Sequence, residues 1–244
     1  SAPLTPQTFT AWEQATSQRI LERYGMSETI INTSNPLLAA AGERLPGSVG
    51  FALPGQEVCV TDQQGVPLPA GEVGMIEVRG PNVFEGYWQM PEKTREEKRD
   101  SGFFITGDLG SVSTDGRLAI VGRSKDLVIS GGYNVYPKEV EAAIDVMPEV
   151  FESAVIGVPH KDFGEAVVAV VVPSQELVGS VGTEVFSHDW QPVSEALVSE
   201  ALVQRLARFK QPKAVINVAE LPRNTMGKVQ KNVLRERYTD LFAK

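Results

Sequence analysis

The sequence predicts a mixed α/β fold in two domains, and two changes of pattern predict it. Over residues 47–120 short β-prone runs alternate with turn clusters; beyond Arg123 helical spacing and continuous apolar strands take over. A length of 244 residues leaves room for two modest domains, each burying a core of its own.

Taken in order, residues 8–24 place Phe9, Trp12, Ala15 or Thr16, Ile20 and Tyr24 at helical spacing before Gly25, which predicts one helix feeding a loop. Runs at 57–61, 75–79 and 118–121 read as strands, because Asp62-Gln63-Gln64-Gly65 and Thr114-Asp115-Gly116 supply turns between them. Together they make a small β-rich subdomain. Residues 138–147 carry Val140, Ala143, Ile144 and Met147 on one helical face, behind a proline, Pro137, suited to a first turn. Two apolar strands follow at 153–158 and 166–172, and the second is a valine run that needs cover on both faces. A helix at 194–208 turns Val198, Leu202, Leu206 and Phe209 inward, and 214–218 adds a strand. This second region is a compact α+β domain of about 120 residues. Residues 176–191 lack periodicity and are expected to form an exposed loop.

The formal net charge is −8, with basic residues dispersed along the chain, which argues against nucleic acid or an anionic membrane as main partner. Small acidic substrates stay open, since local charge outweighs net charge inside a pocket. Cys59 is the single cysteine and sits in an apolar run, so a buried structural thiol in a reducing, cytoplasmic setting is expected. No apolar run approaches the roughly 20 residues of a membrane span, and the opening Ser-Ala-Pro-Leu lacks the pattern of a signal peptide. With only His160 and His188, metal-dependent hydrolysis and triad chemistry have little support, and both histidines read as surface or turn residues.

Four clusters bear polar chemistry. Tyr24-Gly25-Met26-Ser27-Glu28-Thr29 gathers an aromatic, two hydroxyls and a carboxylate on a loop; taken alone, a capped turn is the simpler reading. Thr106-Gly107-Asp108 follows the apolar Phe103-Phe104-Ile105, so an aspartate after a buried strand could accept from two vicinal hydroxyls, although an ordinary turn explains it equally. Gly122-Arg123-Ser124-Lys125-Asp126 and Gly131-Gly132-Tyr133-Asn134-Val135-Tyr136-Pro137 combine charge, paired glycines and aromatics at the domain boundary, suiting either a solvated linker or close approach by a ligand. Leu221-Pro222-Arg223-Asn224-Thr225-Met226-Gly227-Lys228 ends on a lysine that by itself reads as a solvated surface residue. It is not a phosphate-binding loop: the Gly-x4-Gly-Lys-[Ser/Thr] spacing is absent and Val229 cannot serve magnesium.

The order and separation of these clusters resemble the adenylate-forming superfamily of acyl-CoA synthetases, adenylation domains and luciferases, over residues 1–228. The matching pieces are Tyr24 to Thr29; Gly71, Glu72, Gly74, Arg79, Gly80, Pro81, Gly86 and Tyr87; Thr106 to Asp108; Gly122 to Glu139; and Pro222 to Lys228. Glu22 to Thr29 followed by Asn32-Thr33-Ser34-Asn35-Pro36 is most similar to malonyl-CoA synthetases. The resemblance implies that residues 1–123 are the C-terminal part of a large AMP-binding domain with a β-rich, distorted-barrel subdomain. Residues 124–244 would be the small, mobile C-terminal α+β domain.

It also implies an ATP-dependent acid:CoA ligase that forms acyl-AMP and then acyl-CoA from malonate or methylmalonate, with ATP, Mg²⁺ and coenzyme A. Both steps concentrate negative charge, which a placed ammonium and a hard cation offset. By resemblance Lys228 is the adenylation lysine, Thr29 bonds the α-phosphate and Glu28 holds Mg²⁺. Tyr24, with Gly25, Met26 and Ser27, lines the adenine side; Asp108 and Arg123 hold the ribose. Lys125 is the hinge, and Gly131, Gly132 and Tyr133 face coenzyme A. Lys228 is further implied as a target of reversible acetylation by a lysine acetyltransferase and deacetylase, which would remove its charge. The superfamily's larger N-terminal region is missing here, so the chain is expected to be inactive without it. The alternative is a non-catalytic nucleotide- or protein-binding module on the same scaffold.

Overall fold

The computed structural model describes residues 4, 6–174 and 192–243. It divides into two compact units, Ser1–Lys125 and Asp126–Lys244. The loop expected at 176–191, His188 included, lies outside the described residues. No helix among the described residues is long and apolar enough to cross a membrane.

The first unit opens with helix α1 (Pro6–Thr16), which buries Phe9 but leaves Trp12 half exposed. It stops well short of the helix expected to reach Tyr24. The Thr16 hydroxyl donates to the Trp12 carbonyl and accepts from the Gln18 amide, and Ser17 turns left-handed at φ 58°. Such local side-chain bonds compete with helix continuation. Tyr24 instead enters a short strand, β1 (Arg23–Tyr24), which pairs with β2 (Thr33–Ser34), itself paired with β3 (Phe51–Ala52). Just before β3, Gly50 adopts φ +81°, and a methyl there would lie 2.1 Å from the Ser34 backbone, so the sheet closes only around a glycine.

The runs predicted as strands become β4 (Glu57–Thr61), β5 (Gly74–Arg79) and β7 (Leu118–Arg123), with β6 (Phe104–Val112) between the last two. All four form an antiparallel meander in the order β4-β5-β6-β7. The expected barrel is not closed: β4 and β7 end the path, and β7 meets the β3 side through the single bridge Gly50↔Leu118. Val60, Ile76, Val78 and Leu118 pack with Tyr24 and Val49, so one core joins the two sheets. The carboxylate of Glu77, only 2% exposed, accepts from Thr61 and from the Arg99 guanidinium at 2.8 Å each. That pairing is what permits a buried charge. Cys59 is half-buried rather than buried, and desolvation pushes its thiol up to about 11, the profile of an inert cysteine.

In the second unit, β10 (Val150–His160) and β11 (Gly164–Pro173) form a long antiparallel hairpin, and β12 (Ala214–Asn217) runs parallel to β11. β11 is the predicted valine run, and it is covered on both faces. Val167, Ala169 and Val171 pack under helices α3 (Pro137–Ile144) and α4 (Glu195–Leu202); Val168, Val170 and Val172 pack against Leu221 and Leu234 of helix α5 (Lys231–Arg237) and the segment before it. Burial at this scale, nine valines and alanines at nearly zero exposure in the hairpin, supplies the main stabilisation of the unit. Two helices are shorter than expected. α3 ends at Ile144, and α4 ends at Leu202, where Val203 begins an irregular descent to a 3₁₀ turn at Arg208–Lys210. Ser194 is not helical but the cap, its hydroxyl accepting from the Leu197 amide.

Candidate functional site

Of the residues expected to contact nucleotide, Tyr24, Asp108 and Arg123 meet in the first unit. Thr106-Gly107-Asp108 is a bulge inside β6: Met75 pairs with Leu109 and Glu77 with Ile105, so three residues of β6 oppose Ile76 alone. Gly107 takes φ +73°, and the Thr106 hydroxyl donates to the Ile76 carbonyl while accepting from the Asp108 amide. Bulges re-aim side chains in this way. The expectation that Asp108 follows a buried strand is therefore corrected: it lies within one. The Tyr24 hydroxyl donates to Asp108 Oδ2 at 2.7 Å, and Arg123, the register partner of Asp108 on β7, brings its Nε within 3.6 Å of Oδ1. Burial and the neighbouring Asp108 charge hold the Tyr24 phenol well above its usual range, so it stays protonated and able to donate to Asp108.

The loop after Tyr24 doubles back tightly. The Asn32 amide donates to the Tyr24 carbonyl, the Thr29 amide to the Met26 carbonyl, and a methyl on Gly25 would fall 1.9 Å from the Ile30 carbonyl oxygen. Ser27 is exposed, and Met26 and Glu28 are half-buried. Thr29 is fully buried, and its hydroxyl oxygen has no hydrogen-bond partner among the described residues. A buried hydroxyl left unsatisfied is costly. Asn82, which sequence reasoning passed over, holds the Thr29 carbonyl at 2.6 Å. The resembling stretch Arg79-Gly80-Pro81 turns the chain to bring it there, and Gly80 leaves room, since a methyl would sit 2.8 Å from Asn82 Oδ1.

The other expected residues belong to the second unit or its boundary. Lys125 lies in the 3₁₀ turn Ser124–Asp126 and is the last residue of the first unit; Asp126, the first of the second, pairs with Arg235 at 3.0 Å. Gly131 and Gly132, at φ 58° and 82°, form the two-residue turn between β8 (Val128–Ser130) and β9 (Tyr133–Val135). Positive φ at both turn positions matches the twist of a tight hairpin and explains the paired glycines. The Gly131 amide donates to the Phe163 carbonyl, and Tyr133 stacks on Phe209 at 4.6 Å between ring centres. Tyr133, Phe163, Arg208, Phe209 and Lys213 line an open cavity of about 500 Å³. Of these five, only Tyr133 is expected at a ligand site from sequence, and Phe209 is expected as an inward-facing helix residue. Their signal is aromatic–basic alternation in Arg208-Phe209-Lys210, but the fold alone brings Phe163 alongside.

Lys228 ends a tight loop. Arg223 bridges to Val229, the Asn224 Oδ1 accepts from the Met226 and Lys228 amides at 3.0 Å each, and Gly227 takes φ +76°. Arg223 also donates to the Gly227 carbonyl at 2.7 Å and pairs with Glu152 of β10. The half-buried lysine is thus carried on a backbone fixed at both sides.

Comparisons with known proteins match a part of each unit. The model for "AMP-binding enzyme" matches residues 1–88, and that for "AMP-binding enzyme C-terminal domain" matches residues 139–228. The "Probable CoA ligase CCL8" of Humulus lupulus is 40% identical over 98% of this chain and 38% of its own length. The "Malonate--CoA ligase" of Arabidopsis thaliana is 37% identical over 97% of this chain and 37% of its own. Among solved structures, ATP-bound MatB from Rhodopseudomonas palustris superposes with a TM-score of 0.87 at 57% identity, covering 99% of this chain and 45% of that one. The chain therefore spans less than half the length of the relatives it matches. With both models matched in order along one chain and the fold shared throughout, the chain belongs to the family of AMP-binding, adenylate-forming enzymes.

Proposed function

We propose that this chain is the C-terminal portion of an ATP-dependent acid:CoA ligase whose acid is malonate or methylmalonate. The observation that carries the reading is the bulged Thr106-Gly107-Asp108, which aims a carboxylate already joined to Tyr24 and Arg123. A carboxylate so placed accepts from two vicinal hydroxyls, as a ribose offers. Arg123 offsets its charge.

In the first half-reaction the acid's carboxylate oxygen attacks the α-phosphorus of ATP, and pyrophosphate leaves. Lys228, on its fixed loop, places an ammonium against two anions that otherwise repel. The Thr29 hydroxyl, buried and unpartnered among the described residues, is available to donate to the α-phosphate. The half-buried Glu28 carboxylate is a hard oxygen donor of the type that suits Mg²⁺, and the cation would neutralise phosphate charge there. In the second half-reaction the CoA thiolate attacks the acyl carbon and AMP leaves. The Gly131-Gly132 turn permits close backbone approach to the thiol-bearing arm. The neighbouring Tyr133, Phe163, Phe209, Arg208 and Lys213 suit an aromatic base with phosphates. Lys125 is the hinge residue in this reading, a place for the backbone change that exchanges the two half-reactions. Reversible acetylation of Lys228 would switch off the first half-reaction alone.

Malonate is favoured by the stretch from Glu22 to Pro36 and by the named relative from Arabidopsis thaliana. Methylmalonate differs by one methyl, worth about 1–3 kcal/mol of discrimination. The test is acid-dependent exchange of labelled pyrophosphate into ATP, with malonate, methylmalonate, acetate and no acid. It is run on this chain and on the chain joined to the upstream region its relatives carry. Exchange in the longer form alone, lost on Lys228→Ala, is expected; no exchange with any acid in the longer form would favour a binding module instead.

A further inference from the structure

The stretch Gly86-Tyr87 belongs to the pattern that marks the family resemblance, yet no role above uses it. The structure shows where it points. Helix α2 (Pro91–Glu96) packs Thr94 against Gly86 so closely that a methyl on Gly86 would lie 2.7 Å from the Thr94 side chain. The Thr94 hydroxyl accepts from the Tyr87 amide at 2.9 Å, which fixes the backbone from which the phenol projects. Its ring is held edge-on by Phe84 at 4.8 Å and capped by the Lys93 ammonium at 4.2 Å. The hydroxyl then lies 2.6 Å from Glu97 Oε2 and 3.1 Å from Glu28 Oε1.

Both carboxylates are anchored through their backbones. The Phe84 amide donates to the Glu28 carbonyl, and the Ile105 amide donates to the Glu97 carbonyl, immediately before the bulge that carries Asp108. A phenol has one proton, and two carboxylates face it. Both contacts have donor geometry, and the shorter, to Glu97, competes better for that proton. With the proton toward Glu97, Glu28 would face an oxygen lone pair at 3.1 Å, an arrangement that a cation on the Glu28 carboxylate would relieve.

We propose that Tyr87 is a positioning residue for Glu28, and that Glu97 keeps the phenol proton turned away so that the Glu28 oxygens stay available to a divalent cation. The inference rests on the reading of Glu28 as the metal-holding carboxylate. Outer partners of a metal ligand orient it and set its donor strength, and losing one typically costs about 10- to 100-fold in metal affinity. Tyr87→Phe removes the hydroxyl while keeping the ring on Phe84 and Lys93. Glu97→Gln keeps the shape but offers an N–H to the phenol oxygen, which turns the phenol proton onto Glu28.

The test is Mn²⁺ binding followed by electron paramagnetic resonance, together with the Mg²⁺ dependence of pyrophosphate exchange, in the chain joined to its upstream region. Tyr87→Phe and Glu97→Gln are each expected to raise the Mn²⁺ Kd about 10-fold or more. They should also raise the KM for Mg²⁺ while leaving kcat at saturating Mg²⁺ near the parent value. If Glu28→Gln weakens Mn²⁺ binding and neither of the other variants does, the role of Tyr87 and Glu97 is overturned and that of Glu28 stands. If Glu28→Gln leaves Mn²⁺ binding unchanged, the assignment of Glu28 fails, and the inference with it.

Discussion

Gly25 occupies a position where a methyl would overlap the Ile30 carbonyl, 1.9 Å away, so the loop that carries Glu28 and Thr29 closes around the absence of a side chain. Gly25→Ala is expected to open that loop, costing roughly 1–3 kcal/mol as overpacking does. Urea unfolding would measure the loss, and titration with a fluorescent ATP analogue in the longer form should show weaker binding. A parent-like midpoint would mean that the loop relaxes freely. Asp145 makes a pH prediction. Burial raises its carboxyl, although Ser153 donates to it at 2.6 Å. A folded pKa above the unfolded one gives stability that is present below the unfolded value and is lost as pH rises through the folded value. Asp145→Asn keeps an acceptor for Ser153 and removes the charge. The variant should therefore melt higher than the parent at neutral pH, with the difference vanishing in acid below the ordinary aspartate range. A difference that is constant with pH would refute the account. These residues differ in legibility. Gly25 stood out by its neighbours in sequence, whereas Asp145 is unremarkable until helix α3 and strand β10 enclose it.

Among the elements, β11 and the hairpin turns show what pattern can and cannot reveal. Seven nearly continuous apolar residues demanded cover on both faces, and the sheet has helices α3 and α4 on one side and α5 on the other. Ile144 on the first side and Ile156 on the second are both fully buried. Replacing either with alanine is expected to cost about 2–5 kcal/mol, through lost transfer energy plus a cavity. Equal sensitivity on both sides, read from urea midpoints, is the signature of a two-faced core; a tolerated Ile156→Ala would mean that the α5 side is dispensable. Strands β8 and β9, three residues each, are too short for periodicity to register, and the Gly131-Gly132 turn between them was visible only as paired glycines. Helix α5 reads Lys-Asn-Val-Leu-Arg-Glu-Arg and buries Leu234 alone, so its apolar face is too narrow to announce a helix. Helix α1 failed in the opposite sense: its spacing continued to Tyr24 after the Thr16 hydroxyl and the left-handed Ser17 had already ended it.

For the whole molecule, the division after Lys125 leaves each unit with its own buried cluster. Residues 126–244 expressed alone are therefore expected to unfold cooperatively in urea and to give a dispersed amide NMR spectrum, since a domain with its own core folds alone. A collapsed spectrum would show that the first unit or the upstream region is needed to complete that core. The sequence by itself determined the family, the alternation of β-rich and α+β regions, and the candidate residues, because motif order, hydrophobic period and turn chemistry are properties of neighbours along the chain. Only the tertiary structure decided that Thr106-Gly107-Asp108 is a bulge, that Tyr24 and Arg123 converge on Asp108, and that Tyr87 joins Glu28 to Glu97. Each of these depends on strand register or on contacts between residues tens of positions apart. Register is set by how whole faces bury against one another, and no local pattern encodes it.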